Sequence, residues 1–200
     1  MKVILITGGI GSGKSEVCRI LCRDYGIPCY DADSKVKELY MNHPSLLPDL
    51  ERTLGVPLLD SEGHFLASVL ASRIFSSKED LIKVEDLVFP ILWEDFDNWK
   101  AGQESAVVAM ESATALEKES LAGMFDAVVV VDAPVGVRLR RACARDGSST
   151  DQTQKRMSNQ KLMNMISEGY HDPRVDYLVR NVSDMHHLQS EVADLVAKLM

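Results

Sequence analysis

The segment Gly8-Gly9-Ile10-Gly11-Ser12-Gly13-Lys14-Ser15 constrains this chain more than any other stretch. It fits the spacing G-x-x-x-x-G-K-[ST], and its flanks are what that spacing requires. Before it runs Val3–Thr7, a short aliphatic stretch bounded by glycine, which reads as a buried strand. After it, Val17, Ile20 and Leu21 recur at helical spacing between Lys14 and Arg23. Strand, glycine loop and helix in that order make an anion cradle. The glycines let the backbone curl so that successive N–H groups point inward, and the helix N-terminus adds partial positive charge. Lys14 supplies a point charge to the β- and γ-phosphates of a nucleotide, and Ser15 a hydroxyl ligand for Mg²⁺. The expected phosphate-binding residues are therefore Gly9, Ile10, Gly11, Ser12, Gly13, Lys14 and Ser15. Kinases, GTPases, transport ATPases and regulatory nucleotide binders all share such a loop.

The rest of the chain supplies the sheet around that unit. Ile27–Tyr30 reads as a second strand, ending at Asp31-Ala32-Asp33, and a helix over Ser34–Met41 follows until Asn42-His43-Pro44 stops it. Ala106–Met110 and Ala127–Val131 are further strands, with a short helix over Leu116–Gly123 between them. Asp176–Arg180 reads as a last strand, before a helix over Asp184–Lys198 capped by Ser183. Residues 45–102 lack a strand pattern and read as helices, one of them, Leu81–Trp99, interrupted at Pro90. After Pro134, two helices broken at Asp146-Gly147-Ser148-Ser149 carry Arg138, Arg140, Arg141, Arg145 and Arg156. Alternating strands and helices after the phosphate loop predict an α/β, three-layer phosphate-loop fold with a mostly parallel, five-stranded sheet. We divide the single domain into a core (1–44, 103–135 and 174–200), a helical insertion (45–102) and a helical lid (136–173).

Composition narrows the function classes. With 46% apolar and 26% charged residues the chain is an ordinary globular protein. Its net charge of −8 repels phosphate backbones and argues against nucleic acid as partner. No apolar run approaches the roughly 18–20 residues of a membrane span, and the opening run is too short for a signal peptide. Cys18, Cys22, Cys29 and Cys143 form no Cys-x-x-Cys pair and read as packed thiols of a reducing compartment, so the expected location is the cytoplasm, without a membrane partner. The five histidines show no metal-ligand spacing, and Trp93, Phe96 and Trp99 read as anchors of the helical segment rather than a stacking platform.

Two sets of polar residues suit phosphoryl transfer. Asp31 and Asp33 stand where the second strand meets its helix, the end of an open α/β sheet that faces ligand. On an extended segment both would point to one side. A carboxylate there can orient an acceptor hydroxyl and take its proton, and the phosphate loop just upstream favours catalysis by Asp33 over helix capping. Arg138, Arg141 and Arg145 recur at i, i+3 and i+7, one face of a helix beside a break, as expected of a lid that stabilises transferring charge. Asp132, after Val128–Val131, has the place of an acid that holds Mg²⁺ in many phosphate-loop enzymes, although a plain loop acid before Pro134 is the favoured reading.

These residues resemble the dephospho-coenzyme A kinase family along nearly the whole chain. The resemblance is carried by Ile6–Ser15, by Ile27-Pro28-Cys29-Tyr30-Asp31-Ala32-Asp33, by Arg73-Ile74-Phe75, and by Glu111-Ser112-Ala113 through Glu117. It continues in Val128–Asp132, Arg141-x-x-x-Arg145-Asp146-Gly147, Arg156-x-x-x-Gln160 and Asp176–Asn181. It implies transfer of the ATP γ-phosphate to the ribose 3′-hydroxyl of dephospho-coenzyme A, with Mg²⁺. It further implies Asp33 as base, Lys14, Arg141 and Arg145 as charge stabilisers, Glu16 and Asn181 among the ATP-binding residues, and an acceptor held by the helical segment. The expected assembly is a monomer or small homo-oligomer. Ala67, Glu85 and Phe89 depart from the family pattern in the acceptor part; Lys37 and Arg138 depart elsewhere. A kinase for another small nucleotide-like alcohol, or a regulatory nucleotide-binding module without transferase activity, are the alternative readings.

Overall fold

The computed structural model describes residues 1–118, 121 and 123–200. They divide into two compact units, Met1–Asp31 with Gln103–Met200, and Ala32–Gly102.

The first unit is a parallel sheet between helices. Its strands are β1 (Lys2–Thr7), β2 (Cys29–Asp31), β3 (Val107–Glu111), β4 (Ala127–Asp132) and β5 (Tyr177–Arg180), in the order β2-β3-β1-β4-β5. Every pairing is parallel. The aliphatic runs lie in the middle of this order because a central parallel strand is covered on both faces. Val3–Thr7 and Val107–Glu111 are buried at every position. Helix α1 (Lys14–Tyr25) packs Val17, Ile20 and Leu21 into the same core as Ile4 and Ile6 of β1 and Val129 and Val131 of β4. The last helix of the chain (Met185–Leu199) adds Leu188, Val192, Leu195 and Leu199. Carboxylates seal the strand starts, since the Val3 N–H donates to Asp126 at 2.7 Å and the Val128 N–H to Asp176 at 2.8 Å.

In the second unit, α2 (Ala32–Asn42), α3 (Leu46–Leu54), α4 (Ala67–Ser76) and α5 (Lys78–Ala101) bury a leucine-rich core of Leu46, Leu50, Leu54, Leu58, Leu70, Val84 and Val88. The unit is helical apart from one antiparallel bridge, Leu59 to Phe65. Pro90 does not interrupt α5, which runs unbroken from Lys78 to Ala101. A proline inside a helix removes one N–H donor and crowds the preceding turn. Here Val84, Val88, Leu92 and Phe96, spaced four apart and all buried, outweigh that cost by keeping one apolar face continuous. The Phe96 ring lies between Trp93, edge-on at 5.4 Å, and Trp99, stacked at 5.8 Å.

Three local expectations need correction. Asp184, not Ser183, caps the last helix, its carboxylate accepting from the His187 N–H at 2.9 Å. The arginine-rich region holds three helices rather than two: α6 (Val135–Asp146), α7 (Thr150–Ser158) and α8 (Lys161–Ser167), the last helix being α9. A capping box at Ser149 and Gln152 restarts the chain as α7. Between β3 and β4 the described residues are 3₁₀ at Ala115–Glu117 and at Leu121, with no α-helical residue among them, and residues 119, 120 and 122 of the expected Leu116–Gly123 helix lie outside the described set. Among the described residues no helix is long and apolar enough to cross a membrane.

Candidate active site

The loop after β1 closes on itself. The Ser12 N–H donates to the Gly9 carbonyl at 3.1 Å, and Gly13 N-caps α1 without any side-chain cap. A helix start leaves its first N–H groups without intrahelical partners. With no side chain supplied to cap them, this end is suited to an anion. The Lys14 ammonium, 8% exposed, folds back over the loop and donates to the carbonyls of Gly8 at 3.1 Å and Gly9 at 3.4 Å. It is thus already held at the mouth where phosphate charge would enter.

Residues far along the chain hold this loop in shape. Asn181, just past β5, is 4% exposed and donates its amide to the Ser12 carbonyl at 2.8 Å. Its amide oxygen accepts from Arg141 at 3.3 Å. A Cβ on Gly13 would lie 2.2 Å from that amide nitrogen, and Gly13 has φ of 104°, so both space and backbone demand glycine there. The expected residues Asn181, Arg141 and Gly13 therefore meet at one point. The Ile10 N–H donates to Gln160 at 2.7 Å, and the Ile10 carbonyl accepts from Arg138 at 3.1 Å.

The carboxylate beside Ser15 is Glu111, at the carboxyl end of β3. The Ser15 hydroxyl donates to it at 2.7 Å. Asp132, the last residue of β4, instead accepts from the Ser167 hydroxyl at 2.6 Å. Both acids follow aliphatic strands next to β1. The spacing therefore offered Glu111 as readily as Asp132, but it took the sheet order to put Glu111 beside the loop helix.

The arginines part company. Arg141 and Arg145 are exposed, while Arg138 is fully buried, so the three do not form one solvent-facing lid surface. Burial lowers the Arg138 pKa, and the charge of Asp132 partly opposes this. Arg145 and Arg156 both bind Asp146, at 2.7 Å each, and pull its carboxyl down to about 2. Arg145 in turn feels the charge of Glu111. Glu16, in the first turn of α1, pairs with Arg19.

Asp31 and Asp33 do not lie on one extended segment, because the strand ends at Asp31 and the helix begins at Ala32. Alternation stops with the strand, and Asp33 falls in the first helical turn of the second unit. Among the described residues no group of three His, Cys, Asp or Glu side chains could hold a metal alone. Ser15 and Glu111, paired at 2.7 Å, are hard oxygen donors, the ligand type that suits Mg²⁺.

A family model for dephospho-CoA kinase matches residues 2–185. The chain belongs to the dephospho-CoA kinase family. It is a kinase, a transferase built on an α/β fold. A dephospho-CoA kinase of Porphyromonas gingivalis is 39% identical over 175 residues, covering 88% of this chain and 85% of the relative. That of Chlorobaculum tepidum is 30% identical over 201 residues, covering 98% and 93%. Among solved structures, TT1252 from Thermus thermophilus superposes with a TM-score of 0.82 at 26% identity, covering 100% of this chain and 98% of that one. A shikimate kinase from Acinetobacter baumannii, at 15% identity and a TM-score of 0.55 over 100% of this chain and 93% of its own, shares the fold.

Proposed function

We propose that this kinase transfers the γ-phosphate of ATP to the ribose 3′-hydroxyl of dephospho-CoA, releasing CoA and ADP in the last step of coenzyme A biosynthesis. The observation that carries the reading is the family match along residues 2–185, since it includes both the phosphate loop and the helical segment. The loop from Gly9 to Ser15, with Glu16 and Asn181, binds the ATP phosphates. Asp33 accepts the proton of the acceptor hydroxyl as its oxygen bonds to the γ-phosphorus and the bond to the β,γ-bridging oxygen breaks. Lys14, Arg141 and Arg145 stabilise the charge spread over the moving group. Ser15, backed by Glu111, holds the Mg²⁺ of the nucleotide, which neutralises phosphate charge when bound. Residues 45–102 hold the coenzyme end of the acceptor, and residues 136–173 form the lid over ATP. The four thiols are free, which suits a reducing cytoplasm. We propose a monomer or small homo-oligomer whose partners are its two substrates, without nucleic acid or membrane.

The test is ADP release with ATP, Mg²⁺ and dephospho-CoA, against a blank without acceptor. Acceptor-dependent ADP is the expected result. ATP binding without it would turn the reading toward another alcohol or a silent nucleotide binder. The Glu111 assignment has its own test. Glu111→Gln keeps the size and one acceptor oxygen but removes the charge. It should raise the Mg²⁺ concentration for half-maximal activity by roughly 10-fold. An unchanged Mg²⁺ titration would remove Glu111 from the metal site.

A further inference from the structure

We infer that Arg138 is a positioning residue for phosphoryl transfer: from beneath the phosphate loop it fixes the Ile10 peptide, and through Ser167 it ties the shape of the loop to α8. The inference rests on the reading of residues 8–15 as the ATP site.

The guanidinium is 0% exposed, and its bonds go to the loop and to α8. Nε donates to the Ile10 carbonyl at 3.1 Å, and Nη1 to the Ser167 hydroxyl at 3.3 Å. The Ser167 hydroxyl in turn donates to the Asp132 carboxylate at 2.6 Å. The other side of the Ile10 residue is held too, its N–H donating to Gln160 at 2.7 Å. Ile10 is thus clamped at both its N–H and its carbonyl by residues that follow β4, one in α6 and one at the start of α8. A change in the placement of α8 would reach the loop crest through both.

Packing alone does not account for this residue. Burying a guanidinium is costly, and an apolar side chain of similar volume would fill the space at less expense. The sequence also makes room for it at the loop. A Cβ on Gly9 would lie 1.9 Å from Arg138 Nη2 and 2.3 Å from Cζ, so the charged group occupies the space that any other residue at position 9 would fill. Nη2, buried and without a hydrogen-bond partner among the described residues, presents its positive edge to Gly9. A planar fork with several donors can hold Ile10 and Ser167 together and still direct charge at the loop; methionine can do neither.

The experiment compares Arg138→Met, Ser167→Ala and their combination in the full chain, reading ATP affinity by equilibrium dialysis and KM for each substrate. Arg138→Met should weaken ATP binding and raise the ATP KM about 10-fold, with the dephospho-CoA KM changed by less than about twofold. Ser167→Ala, at a half-buried position, should raise the ATP KM about threefold. The double variant should match Arg138→Met, because Ser167 acts through Arg138. Arg138→Lys, which keeps the charge but reaches only one acceptor, should recover part of the loss. Unchanged ATP parameters in folded Arg138→Met, equal shifts in both substrates, or full additivity of the two substitutions would each overturn the inference. If Arg138→Met does not fold, Ser167→Ala decides: a selective rise in ATP KM supports the link, and none overturns it. Lys14→Ala separates the inference from its premise. ATP binding lost in Lys14→Ala but intact in Arg138→Met sinks the Arg138 role alone, whereas binding intact in both moves the ATP site elsewhere.

Discussion

Lys14→Ala is expected to lower turnover by roughly 10³-fold while the protein stays folded. The ammonium is nearly buried at the loop mouth and is held there by two loop carbonyls. A cation fixed in place before the reaction needs little reorganisation as charge develops, which is where such groups gain most of their effect. Alanine is the best helix former, so the start of α1 keeps its backbone, and far-UV circular dichroism should match that of the parent. The measurement is the rate of acceptor-dependent ADP release at saturating substrates. Activity within a few-fold of the parent would remove the phosphate-loop argument altogether.

Asp33→Asn should reduce turnover by about 10²-fold or more with ATP binding within about twofold of the parent. Magnitude decides between its two roles. As an acid in the first turn of α2, Asp33 interacts with the helix dipole, an effect worth roughly 0.3–1 kcal/mol in stability and none directly in rate. As the base, its loss removes proton transfer from the transition state, and a hundredfold fall corresponds to about 2.7 kcal/mol of barrier. Asparagine keeps the shape and the ability to cap, so the helix start survives the change. A turnover loss under threefold would leave Asp33 with a helix-terminal role only. Measuring kcat and ATP affinity on the same preparation distinguishes the outcomes, since a misfolded variant would lose both.

Much of this molecule could be read before its fold was known. The glycine spacing, the aliphatic run before it and the helical periodicity after it define a strand–loop–helix unit through local rules alone. The runs Val107–Met110 and Val128–Val131 could be assigned as buried strands because a two-sided parallel strand needs apolar residues at successive positions. Periodicity was less informative where packing opposed a local signal. Pro90 marks a break in any local reading, yet α5 continues because four buried residues on one face hold both halves. Alternation placed Asp31 and Asp33 together, but the turn into α2 begins at Ala32, and nothing local distinguishes a strand's last residue from a helix's first.

Sequence by itself pointed to the kind of chemistry: a loop of this composition between a strand and a helix suits phosphate, because backbone curvature, helix polarity and one lysine are all encoded within eight residues. Tertiary structure alone decided which distant side chains serve that loop. Glu111 stands beside Ser15 because β3 pairs with β1 on one side, while β4 carries Asp132 past it on the other. Asn181, Gln160 and Arg138 bond the loop from 128 or more residues away along the chain, and Arg141 bonds Asn181 behind it. Helical spacing grouped Arg138 with Arg141 and Arg145, but periodicity records only which residues share a face. Whether that face meets water or the underside of a glycine loop depends on what the sheet order brings against it, and for Arg138 it brings Gly9.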